Sequence, residues 1–96
     1  MLDLITEFIG TFIFLSVVIS SGQAIPIGLT LAAVILFGAG SSATHFNPAI
    51  STMMMVAGKM PLETYAGYVI AQILGGLCAL LFFNYTPVGK KLIGKK

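Results

Sequence analysis

The chain has 96 residues, of which 57% are hydrophobic and 8% charged, and its mean hydropathy is +1.02. A domain this small buries the smallest fraction of its surface on folding, so the composition excludes an ordinary soluble domain and predicts an integral membrane protein. The net charge of +2 suits anionic lipid headgroups better than a nucleic-acid site, since it comes mainly from four lysines near the C-terminus: Lys90, Lys91, Lys95 and Lys96.

The first predicted element is an apolar span over residues 4–20. A secretory signal peptide is disfavoured, because the segment opens with Asp3 and Glu7 where such a peptide has Lys or Arg. Its end also lacks the small-x-small pattern of a cleavage site. The segment is therefore interpreted as a transmembrane helix, closed by a polar turn at residues 20–23.

A second span is predicted over residues 25–40, and the glycines and serines of residues 38–42 would break it. The pair Asn47-Pro48 then predicts a new helix, because Asn is a strong N-cap and Pro suits the first helical position. This helix has only about 10 residues, or about 15 Å, which is half of a roughly 30 Å hydrocarbon core. We therefore expect a re-entrant turn and half-helix over residues 41–57.

The alternative is one long helix over residues 25–57, kinked at Pro48. It would run roughly 50 Å and carry several Gly, Ser, His and Asn residues across the membrane core, so it is disfavoured. Non-helical backbone at membrane depth is tolerated only when it is buried in protein or lines a watery cavity. The re-entrant interpretation therefore implies a cavity or a polar partner.

The third span, residues 62–83, has small residues at four-residue intervals on one face, an arrangement that lets membrane helices approach closely. These helix-packing candidates are Gly67, Ala71, Gly75 and Ala79. The predicted fold is an all-α membrane protein with three transmembrane helices plus one re-entrant half-helix. It occupies residues 1–85, and residues 86–96 form a basic C-terminal tail.

The sequence contains no catalytic constellation, phosphate loop or metal-ligand spacing, and one His with three acids is too few to motivate an enzyme. No metal or other cofactor is expected.

Three segments, in order, carry a resemblance to a known family: residues 6–12 (TEFIGTF), residues 42–51 (SATHFNPAIS) and residues 68–75 (YVIAQILG). Together they resemble the N-terminal half of an aquaporin or aquaglyceroporin, the major intrinsic protein family, over roughly residues 6–83. The resemblance implies a passive channel for water or small neutral solutes such as glycerol.

The family has two inverted halves in one chain, whereas this chain has one. The resemblance therefore implies that two copies pair antiparallel, with Asn47 of each meeting at mid-membrane; a second half from a different protein is the competing idea. Because such pores associate as tetramers in the family, an octamer of halves is also expected.

The candidate pore residues surround the Asn-Pro-Ala triplet. The Asn47 carbonyl oxygen caps the helix, which leaves its NH2 group to donate to a permeant; a role as a cap alone is the alternative. Carbonyls of residues 40–44 would supply acceptors. The set expected at the pore comprises Ala43, Thr44, His45, Asn47, Pro48 and Ala49, although a buried, hydrogen-bonded imidazole is favoured for His45 over a pH gate.

By resemblance, Glu7 matches the family's first-helix Glu, which accepts backbone N–H bonds and braces the turn. Gln72 is expected to support the turn similarly, with simple packing as the alternative. The selectivity-filter candidates are Ile27, Ile35 and Ile50, together with Thr44. Ile50 stands where the second half of the family has an Arg, so the filter would be less polar than a strict water filter and could admit glycerol or resist wetting.

Two other classes of function stay open. One is a non-conducting interaction protein that uses the small-residue face of the third span to bind other membrane helices. The other, a small dual-topology transporter, is disfavoured because the only intramembrane carboxylate, Glu7, lies near one end. The tail lysines favour a cytoplasmic C-terminus, which opposes the family's first-half orientation and counts against antiparallel pairing.

Overall fold

The computed structural model describes residues 1–94, which form five α-helices and no strand. The helices are α1 (Leu2–Ser20), α2 (Ala24–Gly38), α3 (Pro48–Val56), α4 (Leu62–Tyr85) and α5 (Pro87–Ile93). The predicted all-α class is confirmed. Among these residues only α1 and α4 are long and apolar enough to cross a bilayer, because the 15 residues of α2 extend about 22 Å.

The two long helices run parallel and cross closely at Gly75. A Cβ at Gly75 would lie 2.7 Å from the Phe8 carbonyl oxygen and 3.2 Å from the Phe12 nitrogen. About two helical turns earlier on α4, a Cβ at Gly67 would lie 2.9 Å from the Leu4 side chain. The small-residue face of α4 is therefore occupied by α1 of the same chain, and it is not free to bind another membrane protein as the interaction-protein alternative required.

The second contact of α1 is with residues 39–47, the segment between α2 and α3. The Phe46 ring is 2% exposed and lies against Gly10 of α1 and Gly38 of α2. A Cβ at Gly38 would lie 3.0 Å from methyl groups of both Thr6 and Thr44. These two glycines therefore make the space in which the segment between α2 and α3 folds back into the protein.

Replacing Gly10 by Ala is expected to lower the free energy of unfolding by about 1–3 kcal/mol, because the added methyl overlaps the Phe46 ring and overpacks this contact. Gly28→Ala is the matched control, since nothing lies within 4 Å of a Cβ placed there. Thermal unfolding of the purified variants in detergent measures the difference. Equal melting temperatures for the two variants would contradict the packing described for Phe46.

Residues 39–47 are not helical, so α2 and α3 are separate helices and the single kinked helix is not formed. The helix α2 ends beside Thr6 of α1. The next segment runs along α1 toward its C-terminal end as far as Gly10, and α3 then runs back toward the N-terminal end of α1. At the middle of α3, the Thr52 hydroxyl lies 2.9 Å from the hydroxyl of Tyr65 in the first turn of α4. The segment thus enters and leaves at one end of the bundle.

The region predicted as a basic tail contains a helix that was not expected. The Thr86 hydroxyl accepts a 2.9 Å hydrogen bond from the Gly89 nitrogen, and Pro87 occupies the first turn of α5. This is the cap-and-proline chemistry that was recognised at Asn47-Pro48, so the signal was present in the sequence. Lys95 and Lys96, also assigned to the tail, lie outside the described residues.

Candidate functional site

Asn47 stands at the N-terminus of α3 with its side chain exposed. Its Oδ1 accepts a 2.8 Å hydrogen bond from the Ala49 nitrogen, and Pro48 follows in the first turn. Within residues 1–94, the Asn47 side-chain nitrogen donates no hydrogen bond to protein. The residue therefore caps the helix with one end of its amide and presents two N–H donors with the other.

A groove of about 410 Å³ lies beside Asn47, between α1 and α4. Most of its lining is apolar, and it comprises Thr11, Phe14, Leu15, Phe46, Asn47, Pro48, Gln72, Ile73, Gly76 and Leu77. Two buried atoms of this wall, Thr11 Oγ1 and Gln72 Oε1, have no hydrogen-bond partner in the described part of the chain. Both atoms are buried beneath the groove surface, so Asn47 supplies the exposed amide of this site.

Glu7 holds the turn that leads to Asn47, and its side chain is completely buried. Its Oε1 accepts hydrogen bonds from the Phe46 nitrogen and from Gln72 Nε2, both at 2.9 Å. Its Oε2 accepts from the Ser42 hydroxyl at 2.8 Å and from the His45 nitrogen at 3.2 Å. Carboxyl oxygens are hydrogen-bond acceptors, and the four donors around Glu7 fix the turn to α1 and α4.

A second group of hydrogen bonds centres on Ser51, which is also fully buried. Its hydroxyl lies 2.8 Å from His45 Nδ1 and accepts from Gln72 Nε2 at 2.9 Å. From α4, the Tyr68 hydroxyl accepts from the Ala43 nitrogen at 2.9 Å, and its ring packs edge-on against His45 at 5.4 Å between centroids. Gln72 lies near the midpoint of α4, so the whole turn is held close to the middle of that helix.

Sequence reasoning did not give a role to Ser51 or Tyr68, although both lay in the quoted motifs. The available signals were spacing: Tyr68 precedes Gln72 by four residues, so both side chains lie on one helix face. Ser51 follows Asn47 by four residues, which puts a hydroxyl on the first turn of a mostly apolar half-helix. Which partners they would meet depended on contacts between distant segments.

Replacing Ser51 by Ala is expected to lower the free energy of unfolding by about 1–3 kcal/mol, because His45 and Gln72 each lose a buried partner. Ser16→Ala is the control, since the Ser16 hydroxyl bonds only to the Phe12 carbonyl of its own helix in the described structure. Thermal unfolding in detergent again gives the measurement, and an equal small loss in both variants would remove Ser51 from the bracing network.

The turn holds two non-glycine residues in the left-handed region, Thr44 and Phe46, each with φ of 55°. This conformation costs roughly 1–2 kcal/mol per residue for a side chain with a Cβ. The flanking nitrogens of Ala43, His45 and Phe46 are each held by a side chain from α1 or α4. The strained path is therefore fixed by tertiary contacts and not by local preference.

The structure divides the predicted pore residues into two groups. Asn47, Pro48, Ala49 and Ala43 are exposed and Thr44 is half-buried, so these residues share the accessible side of the turn. His45 differs from its placement among the pore residues, because it is only 7% exposed and its Nδ1 is bonded to Ser51. Its environment matches the buried imidazole that the sequence favoured.

The filter candidates do not lie together within one copy. Ile50 is half-buried in the first turn of α3. The other two belong to α2, where Ile27 is half-buried and Ile35 is 38% exposed. Eight residues separate the two α2 positions, or about 12 Å along the helix, so they would narrow a pore at different depths. None of the three lines the groove beside Asn47.

Comparisons with known proteins find relatives over most of the chain. The family model described as "Major intrinsic protein" matches residues 1–95. Glycerol uptake facilitator protein-like 6 of Lactiplantibacillus plantarum is 39% identical over 84 residues, covering 78% of this chain and 39% of that protein. Aquaporin Z of Brucella melitensis biotype 1 is 36% identical over 69 residues, covering 72% of this chain and 30% of that protein. No solved structure gives a significant match. The chain thus spans between 30% and 39% of the length of these two relatives.

Proposed function

The chain belongs to the major intrinsic protein family, and from that premise we propose that it forms half of a passive transmembrane pore. The chain is an integral membrane protein, and the permeants proposed for it are water and small neutral solutes such as glycerol. The observation that carries the proposal is Asn47, whose amide caps a half-helix and still exposes its donors beside a mostly apolar groove. An exposed donor in apolar surroundings is costly unless a polar molecule binds it.

The other half of the pore comes from a second copy in antiparallel orientation, so that two α3 N-termini face each other at mid-membrane. Two features support pairing: α3 extends only about 14 Å, and the groove beside it is open. Further association into an octamer of halves follows the tetramers of the family.

The conduction mechanism rests on the half-helix and its turn. The aligned peptide dipoles of α3 place about half a positive charge at its N-terminus, so two facing termini repel cations at the pore centre. The Asn47 NH2 groups donate to the oxygen of a passing water or alcohol. Backbone carbonyls of residues 40–44 accept its hydrogens on the way, replacing hydration one bond at a time.

The selectivity expected of this pore is for neutral solutes. The sequence contains no arginine, and the filter candidates Ile27, Ile35 and Ile50 supply only hydrocarbon beside the Thr44 hydroxyl. An apolar constriction binds the carbon backbone of a small polyol and provides no fixed positive charge. Glycerol is therefore the expected permeant beside water, and exclusion of cations depends on the α3 dipoles.

Stopped-flow osmotic shrinkage of liposomes containing the purified chain tests the proposal, with water and glycerol gradients measured separately. We expect both permeabilities to exceed those of empty liposomes. Permeability equal to that of empty liposomes would overturn the homomeric pore. Single cysteines introduced at either terminus report orientation by crosslinking, and exclusively parallel pairs would overturn the antiparallel arrangement even if flux is observed.

A further inference from the structure

The last described helix, α5, is fixed against the end of α4. Gly89 packs on the Phe82 carbonyl and on the Cα of Phe83, and a Cβ at this position would overlap both. The Thr86 hydroxyl bonds to the Phe82 carbonyl at 2.6 Å and accepts from the Gly89 nitrogen at 2.9 Å. The direction of α5 relative to the membrane-spanning α4 is therefore set by packing and capping.

Fixed in this way, α5 presents two different free faces. Val88 and Leu92, four residues apart, form an apolar stripe that is exposed by 61% and 43%. Lys90 and Lys91 are also exposed. At 100° per residue, Lys90 projects from the side of the helix opposite to this stripe, and Lys91 projects from its flank, about 60° from Val88. A helix with an exposed apolar stripe and a basic face is typical of one that lies in the membrane interface.

We propose that α5 is a lipid-binding helix that holds anionic phospholipid headgroups at this end of the bundle. Val88 and Leu92 insert at the boundary of the acyl chains, and Lys90 and Lys91 bind the headgroup phosphates. Charge complementarity identifies the partner, since 4 of the 5 basic residues of the sequence lie between residues 90 and 96. The three acidic residues, Asp3, Glu7 and Glu63, all lie at residue 63 or earlier. The site is separate from the Asn47 turn and does not depend on conduction.

Lipid titration of the purified full-length chain in detergent, followed by native mass spectrometry, tests this proposal. Phosphatidylglycerol should bind more tightly than phosphatidylcholine. Each lysine near an anionic surface is worth about fivefold in affinity, so Lys90→Gln combined with Lys91→Gln should weaken phosphatidylglycerol binding roughly thirtyfold and leave phosphatidylcholine unchanged. Lys59→Gln, a matched charge change between α3 and α4, should have no such effect. Equal binding of the two lipids, or wild-type affinity in the double variant, overturns the proposal.

Two glycine substitutions distinguish the contribution of the folded α5 to lipid binding from that of its charge alone. Gly89→Ala keeps both lysines but displaces α5 from Phe82, so it should weaken phosphatidylglycerol binding. Gly94→Ala is the control, because its Cβ would lie 3.3 Å from the nearest atom, the Lys90 carbonyl oxygen. Wild-type affinity in Gly89→Ala would mean that an unpositioned basic tail is sufficient, and would overturn the role of α5.

The depth of α5 is an independent measurement in bilayers. Nitroxide labels on Val88→Cys and Lys90→Cys, in otherwise unchanged chains, report contact with dissolved oxygen and with a water-soluble nickel chelate. The label at position 88 should favour oxygen and the label at position 90 should favour the chelate. Equal accessibility at the two positions would overturn the interfacial orientation.

Discussion

Replacing Glu7 by Gln is expected to release the re-entrant turn and abolish conduction. A Gln side chain keeps the shape of Glu but turns one acceptor oxygen into an NH2 group, which would face the donors now bound to Oε1 or Oε2. Since the site is completely buried, at least one donor would lose its acceptor. Leaving one buried donor without a partner costs about 1–3 kcal/mol.

The measurement is thermal unfolding in detergent, together with limited proteolysis of residues 39–47 and osmotic permeability in liposomes. Glu63→Gln provides the control, because it makes the same chemical change at an exposed residue in the first turn of α4. A Glu7→Gln protein with the stability and protease resistance of the control would show that the four hydrogen bonds do not hold the turn.

Replacing Asn47 by Asp is expected to leave the fold intact and to change what the pore admits. An Asp oxygen can still accept from the Ala49 nitrogen, and its charge is favourable at a helix N-terminus. The NH2 donor is lost, however, which at about 1 kcal/mol per hydrogen bond predicts roughly fivefold lower glycerol permeability. The new negative charge also offsets the α3 dipoles, so cation leakage should rise.

Flux of glycerol by stopped-flow light scattering and of potassium by an entrapped dye gives the two readouts. Asn84→Asp is the matched control, since Asn84 is exposed near the C-terminal end of α4, away from the turn. If Asn47→Asp retains both the glycerol flux and the cation exclusion of the wild type, the two Asn47 tips do not meet in the conducting path.

Features that depend on a short stretch of sequence were predictable. The order of helices follows from apolar runs separated by Gly, Ser and Pro, and the start of α3 follows from the cap preference of Asn and the fixed φ of Pro. The same reasoning applied to Thr86-Pro87 would have predicted α5. That helix was missed because the lysine-rich segment was treated as a basic tail.

Features that depend on contacts between distant segments were not predictable from spacing. The left-handed conformations of Thr44 and Phe46 oppose the intrinsic preference of both residues, so no local rule suggests them. The resemblance to the family supplied Glu7 as the brace, but Ser51 and Tyr68 entered the network only when α3 and α4 were placed beside the turn.

The sequence by itself determined that this chain belongs in a bilayer and that a short helix begins at Asn47, since hydropathy and cap chemistry act through neighbouring residues. Only the tertiary structure decided that the small-residue face of α4 is used by α1, that His45 is buried, and that the Asn47 amide is left exposed. The physical reason is that a buried carboxylate needs several donors at once, and Glu7 collects them from residues 35 to 65 positions away along the chain.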